Sequence, residues 1–126
     1  MVLIKRFLFT MCLVILVGCS THLPPGNPDY NWLNGKWFAV RGSSGWTTEL
    51  DLTVVDGNKV IGTNIQTGPD GRRWFGDVSG MVEGNKVSFE VYLPRSGNTH
   101  TYTLLRKESV LDGRSTTGSV SLKKVS

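Results

Sequence analysis

The sequence predicts an all-β domain of about eight antiparallel strands, closed into a small up-and-down β-barrel, after an N-terminal signal peptide. Three observations favour this fold class. Apolar and polar residues alternate along short segments, which is the period of a half-buried strand. Glycine, asparagine and aspartate cluster between these segments, as in tight turns. No segment of the mature chain carries a helical hydrophobic period.

The alternation is clearest at residues 49–54, where Leu50, Leu52 and Val54 alternate with acidic and hydroxyl side chains. The predicted strands cover residues 36–41, 49–54, 60–67, 74–82, 87–93, 99–106, 110–115 and 119–125. Closure removes exposed strand edges, and about eight strands leave an interior that side chains can fill. Glycines inside the strands predict sharp strand curvature at Gly62, Gly76, Gly80 and Gly113.

Residues 1–18 have the three blocks of a secretory signal peptide. Lys5 and Arg6 form a positive start, residues 7–17 are almost wholly apolar, and Gly18 is a small residue at the expected cut site. The apolar run is shorter than the roughly 20 residues that a transmembrane helix needs. We therefore expect export and cleavage.

The tetrad Leu16-Val17-Gly18-Cys19 resembles the lipobox of bacterial lipoproteins. The resemblance implies that a signal peptidase recognises Leu16, Val17 and Gly18, that the chain is cut before Cys19, and that Cys19 carries acyl chains such as palmitate. Two or three acyl chains hold a protein firmly on a membrane. In that family, an aspartate directly after the lipidated cysteine retains the protein at the inner membrane, so the resemblance together with Ser20 implies transfer to the outer membrane of the cell envelope.

The sequence therefore predicts three regions: a signal peptide over residues 1–18, a lipidated cysteine with a flexible Pro-rich tether over 19–31, and a β-barrel domain over 32–126.

Cleavage would remove Lys5 and Arg6 and leave 12 basic against 10 acidic residues, a net charge of about +2. This balance does not favour a nucleic-acid partner, which requires a concentrated basic face. Because Cys12 is cleaved off and Cys19 is lipidated, no thiol remains for a disulfide.

The segment Gly35-Lys36-Trp37 resembles the start of calycin barrels, the group of lipocalins, fatty-acid-binding proteins and avidins. The resemblance implies that Trp37 closes one end of the barrel and that Lys123, Lys124 or Arg106 packs over it. It also implies a lipocalin-like carrier of a small apolar ligand. The alternative is that Trp37 is simply a core residue of the first strand.

A second resemblance is to the lipoprotein lysozyme inhibitors of Gram-negative envelopes. Ser96-Gly97 lies in a loop before a strand, as in their inhibitory loop. The paired cysteines of that family are absent from this chain.

No catalytic residues, cofactor or metal ligands are expected, so we predict a non-enzymatic protein. His22 and His100 are too few to bind zinc without cysteine, and His100 is expected on the strand surface. Glu49, Asp51 and Glu90 alternate with apolar residues and are expected on the solvated outer face rather than in a cleft.

The predicted binding patch consists of Trp46, Arg72, Arg73 and Trp74, which lie near loop ends. Such a patch could bind a glycan, an anionic lipid or a protein; alternatively, the two tryptophans only fill the barrel. The expected function is that of a membrane-anchored envelope lipoprotein binding a protein or cell-wall partner. The first alternative is a calycin-like carrier, and the second is a lysozyme-inhibitor-like protein.

Overall fold

The computed structural model describes residues 23–41 and 45–126, without the side chains of residues 40 and 41. Several predictions fall on residues 1–22 and lie outside the described residues. They concern the signal peptide over 1–18 with Leu16, Val17 and Gly18, the lipidation of Cys19, and the residues Ser20 and His22. Within the described ranges, no helix is long and apolar enough to cross a bilayer.

Eight antiparallel strands form a closed barrel in which each strand pairs with its neighbours in the chain. The last strand pairs back to the first at Trp37–Lys124 and Phe38–Lys123. This arrangement confirms the predicted up-and-down barrel. The strands are β1 (Gly35–Arg41), β2 (Trp46–Val55), β3 (Lys59–Thr67), β4 (Arg73–Glu83), β5 (Lys86–Leu93), β6 (Asn98–Lys107), β7 (Val110–Ser115) and β8 (Gly118–Lys124).

The core is built by the side chains that point inward at every second position. On β2, Leu50 and Leu52 are fully buried while Asp51 and Thr53 are exposed, as the period of a strand requires. Each fully buried leucine contributes about 1.5–3 kcal/mol relative to an exposed one. In the middle of the barrel the rings of Phe89 and Tyr102 stack with their centroids 4.8 Å apart. Side chains therefore fill the centre of the barrel.

The glycines predicted to curve the strands lie where neighbouring strands approach closely. A Cβ atom on Gly80 would lie 2.1 Å from the Ser88 carbonyl oxygen and 2.4 Å from the Phe89 Cβ. A Cβ on Gly62 would lie 1.9 Å from the Asp51 carbonyl oxygen. Glycine is required at both positions because any side chain would collide with the adjacent strand.

A short 3₁₀ helix, Pro28–Leu33, closes one end of the barrel, and we call it the closing helix. Leu33 is fully buried, and its carbonyl accepts a hydrogen bond of 2.9 Å from the indole Nε1 of Trp37. The Asn34 Oδ1 accepts a 2.7 Å bond from the Val54 amide. We call this the closed end of the barrel and the opposite end the mouth.

The chain before the closing helix is also attached to the barrel. The Pro24 carbonyl accepts a hydrogen bond of 2.8 Å from the Asp56 amide, and the Asn27 amide donates one of 2.7 Å to the Gly57 carbonyl. Pro25 forms a β-bridge with Val55. The flexible tether predicted over 19–31 is therefore wrong from residue 24 onward. Proline favours extended backbone, and that backbone here pairs with the β2–β3 turn.

Basic side chains lie on the tryptophans of the closed end. The Lys124 Nζ lies 6.0 Å from the centroid of the Trp37 ring and also donates a 3.1 Å hydrogen bond to the Trp32 carbonyl. The Arg106 guanidinium lies 4.5 Å from the centroid of the Trp32 ring. Of the basic residues expected over Trp37, Lys124 is therefore the one that reaches it. The two contacts to Trp32 hold the closing helix against β6 and β8.

Candidate binding site at the barrel mouth

Two tryptophans stand at the mouth with their side chains on the interior side of the strands. Trp46 opens β2 two residues before the buried Thr48, and Trp74 lies two residues before the buried Gly76 on β4. The Trp46 ring lies over Gly68, where a Cβ atom would come within 3.4 Å of it. Trp46 is 36 % exposed and Trp74 is half-buried. Both rings therefore have faces that a ligand can reach.

A surface groove of about 570 Å³ runs along these rings, and we call it the groove. It is lined by Trp46, Pro69, Asp70, Arg72 and Trp74. The β3–β4 turn shapes one wall, because the Arg72 amide donates a 3.0 Å hydrogen bond to the Asp70 Oδ1 and Gly71 has a φ of 83°. Glycine favours that left-handed conformation.

A smaller cavity of about 180 Å³ leads from the same tryptophans into the barrel, and we call it the recess. It is lined by Trp46, Gln66, Trp74, Leu93, Ser96, Asn98 and His100. Gln66 is only 7 % exposed, and its Nε2 has no hydrogen-bond partner in the described part of the chain. The Nδ1 of His100 is also buried and has no hydrogen-bond partner among the described residues.

Further unpaired polar atoms lie close to Gln66 on β2 and β3. Thr48 is opposite Gln66 in the β2–β3 register, and Asn64 precedes Gln66 by one inward position. Thr48 Oγ1 and Asn64 Oδ1 are buried and have no partner among the residues that the structure describes. The Asn64 Nδ2 makes one long bond of 3.4 Å to the Glu49 carbonyl. The interior near the mouth therefore contains polar side chains, whereas the interior at the centre and at the closed end is apolar.

Two of the turns at the mouth, residues 68–72 and 94–97, together carry the basic Arg72 and Arg95 and the acidic Asp70, and Arg73 begins β4 beside them. The Arg95 guanidinium lies 5.5 Å from the centroid of the Trp74 ring, a distance at which it attracts the ring face. Arg72 forms an exposed ion pair with Asp70 at 3.9 Å. A pair this exposed adds little stability, so both charges remain available to a ligand.

The structure brings together three of the four residues of the predicted patch. Trp46, Arg72 and Trp74 line one groove. Arg73 is exposed on the outer face of β4, paired in register with Thr67, and does not line the groove.

Sequence reasoning missed Gln66 and misplaced His100. The prediction of a surface position for His100 is wrong, because His100 shares the inward side of β6 with the buried Tyr102 and Leu104 and lines the recess. The alternation of buried and exposed residues along β6 indicates the inward side of His100. Gln66 and His100 were nevertheless overlooked because both are polar, and inward positions were identified from apolar residues.

Glu49, Asp51 and Glu90 lie on the outer face of the barrel, as predicted. No group of three His, Cys, Asp or Glu side chains within residues 23–41 and 45–126 is arranged to hold a metal ion.

Comparison with protein-family models, with curated proteins and with solved structures yields no match.

Proposed function

We propose that this chain is a lipid-anchored lipoprotein of the bacterial cell envelope and that its barrel mouth binds an envelope component without catalysing a reaction. The observation that carries the proposal is the groove of about 570 Å³ between Trp46, Arg72 and Trp74. Partly exposed tryptophan and arginine around a concave surface are the residue types that dominate binding energy in interfaces.

The path of the N-terminal segment supports a partner outside the membrane. Residues 24–27 are bonded to the β2–β3 turn at the closed end. Leu23 lies only four positions after Cys19, and at full extension those four steps span about 14 Å. A lipid on Cys19 would therefore hold the closed end near the bilayer, and the mouth would face away from it. Such an orientation favours a cell-wall or protein partner over a lipid.

The contact between Lys124 and Trp37 favours a second candidate, a calycin-like carrier of a small apolar ligand. Pockets for such ligands are mostly apolar and have volumes of about 300 Å³ or more. The recess has about 180 Å³, and its lining includes the polar side chains of Gln66, Asn98 and His100. Binding of a fluorescent fatty acid would support this candidate.

The test of the proposal compares two double variants of the mature protein in detergent. Trp46→Ala/Trp74→Ala removes the mouth aromatics, and Phe38→Ala/Phe75→Ala removes two exposed aromatics from the outer face. Binding to peptidoglycan sacculi and to envelope extract is then measured. We expect the first variant to lose binding by about tenfold or more and the second to retain it. Equal binding by both variants would refute the proposal.

A further inference from the structure

We infer that the component bound at the mouth is a saccharide, with one sugar ring packed against Trp46 and Trp74 and a polar ring substituent inside the recess. This inference rests on the proposed function, because it names the chemistry of the ligand that the mouth binds. Three features of the mouth support it: unpaired buried polar atoms, two accessible indole faces, and a cavity of suitable size.

The unpaired polar atoms are concentrated in one part of the barrel. Gln66 and His100, which line the recess, have a buried Nε2 and a buried Nδ1 without a partner in the described residues, and Thr48 Oγ1 and Asn64 Oδ1 are the same on β2 and β3 close to Gln66. Buried polar atoms in proteins nearly always have hydrogen-bond partners, and an unpaired one costs about 1–3 kcal/mol. Such a concentration is typical of a site whose partners are supplied by a ligand. Hydroxyl groups suit it because each can both donate and accept.

The indole rings of Trp46 and Trp74 line both the groove and the recess. The face of an indole is electron-rich, and the C–H bonds on the face of a sugar ring are polarised by adjacent oxygens. A sugar can therefore pack its C–H face on an indole while its hydroxyl groups point sideways to polar partners. The recess holds about 180 Å³, equivalent to roughly six water molecules, which is enough for a sugar substituent.

The chemistry of the recess distinguishes a sugar from the other ligand classes. An apolar ligand would cover Gln66 and His100 without providing hydrogen bonds, which is unfavourable. A simple anion would be expected to bind at buried cations, but the arginines of the mouth lie on the rim, with Arg72 beside Asp70 and Arg95 on Trp74. The polar side chains that line the recess carry two amides, one hydroxyl and one imidazole, and these groups favour a hydroxylated ligand.

The experiment is an NMR titration of the mature lipidated protein in detergent micelles. The probes are trisaccharides of N-acetylglucosamine, of glucose and of galactose, with inorganic phosphate and decanoate as comparison ligands. The chain has four tryptophans, and each indole N–H gives one signal. We expect a sugar to shift the signals of Trp46 and Trp74 and to leave those of Trp32 and Trp37 at the closed end unchanged.

Two variants test the recess directly. Gln66→Leu removes the buried amide and is expected to weaken sugar binding by about tenfold. Thr63→Leu introduces the same side chain on the outer face of the same strand and is expected to leave binding unchanged. Equal affinities of Gln66→Leu and the wild type would overturn the inference.

The outcomes separate this inference from the proposed function. If no trisaccharide shifts the mouth indoles, or if only decanoate or phosphate does, the saccharide inference is wrong. The proposed function would still stand if envelope binding is lost in Trp46→Ala/Trp74→Ala but retained in Phe38→Ala/Phe75→Ala. If those two variants also behave alike, both proposals are wrong.

Discussion

Replacing Gln66 with leucine should stabilise the protein although it removes a polar residue from the candidate site. Gln66 is 7 % exposed, and its Nε2 has no partner within the described residues. Burial of an unpaired donor costs about 1–3 kcal/mol, and leucine has a similar volume and no donor. Taking the lower bound, we expect the free energy of unfolding to rise by about 1 kcal/mol, which corresponds to an increase in Tm of about 4–8 °C for a domain of this size.

The assay is thermal unfolding of the ligand-free protein followed by circular dichroism, with urea unfolding as a second measure of stability. Thr63→Leu is the matched control, because Thr63 is exposed on the outer face of the same strand, and its effect should stay within about 0.5 kcal/mol. A Tm for Gln66→Leu that is several degrees below that of the wild type would refute the reasoning. It would mean that the amide contributes to folding and is not reserved for a ligand.

Three further predictions concern the fold and the anchor. Gly80→Ala should destabilise the barrel by about 1–3 kcal/mol in urea unfolding, because its Cβ would lie 2.1 Å from the Ser88 carbonyl oxygen; an effect as small as that of Ser79→Ala on the outer face would contradict the reported crowding. Asn34→Ala should cost about 1–3 kcal/mol by thermal unfolding, because it leaves the buried Val54 amide without its 2.7 Å partner; an unchanged Tm would show that this bond does not secure the closed end. Cys19→Ala should leave an uncut precursor without palmitate in metabolic labelling, and normal processing and labelling would disprove the anchor.

The strands could be predicted because the signal is local. Alternation such as that of Leu50, Leu52 and Val54 reports which side of a strand is buried, and turn residues such as Gly57 and Gly84 separate one strand from the next. Both signals depend on residues close together in the chain. Closure of the barrel could also be predicted, because a sheet of about eight consecutive short strands has two edge strands that can pair with each other.

The attachment of residues 24–27 could not be predicted, because it depends on backbone hydrogen bonds to the distant β2–β3 turn. Composition carries no signal for such bonds. The three proline residues within positions 24–28 suggested a free spacer, although the extended backbone that proline favours is equally suited to pairing with a turn.

The candidate site was predicted only at its rim. Trp46, Arg72 and Trp74 belong to residue types that are common in interfaces, so they could be identified without coordinates. Gln66 and His100 were missed, although His100 is in phase with Tyr102 and Leu104, because a polar residue in a strand is ordinarily assigned to the outer face. Their inward position becomes meaningful only once the barrel brings β3 and β6 to the same cavity.

The most direct test of the central claim, that the mouth is the binding surface, is site-specific photocrosslinking in living cells. One photoreactive residue replaces Asp70, which lines the groove and has a side chain that is 64 % exposed. A second replaces Lys59, which lies at the closed end with a side chain that is 63 % exposed. We predict that position 70 captures an envelope component and that position 59 does not. Capture from position 59 alone, or equal capture from both positions, would contradict the account.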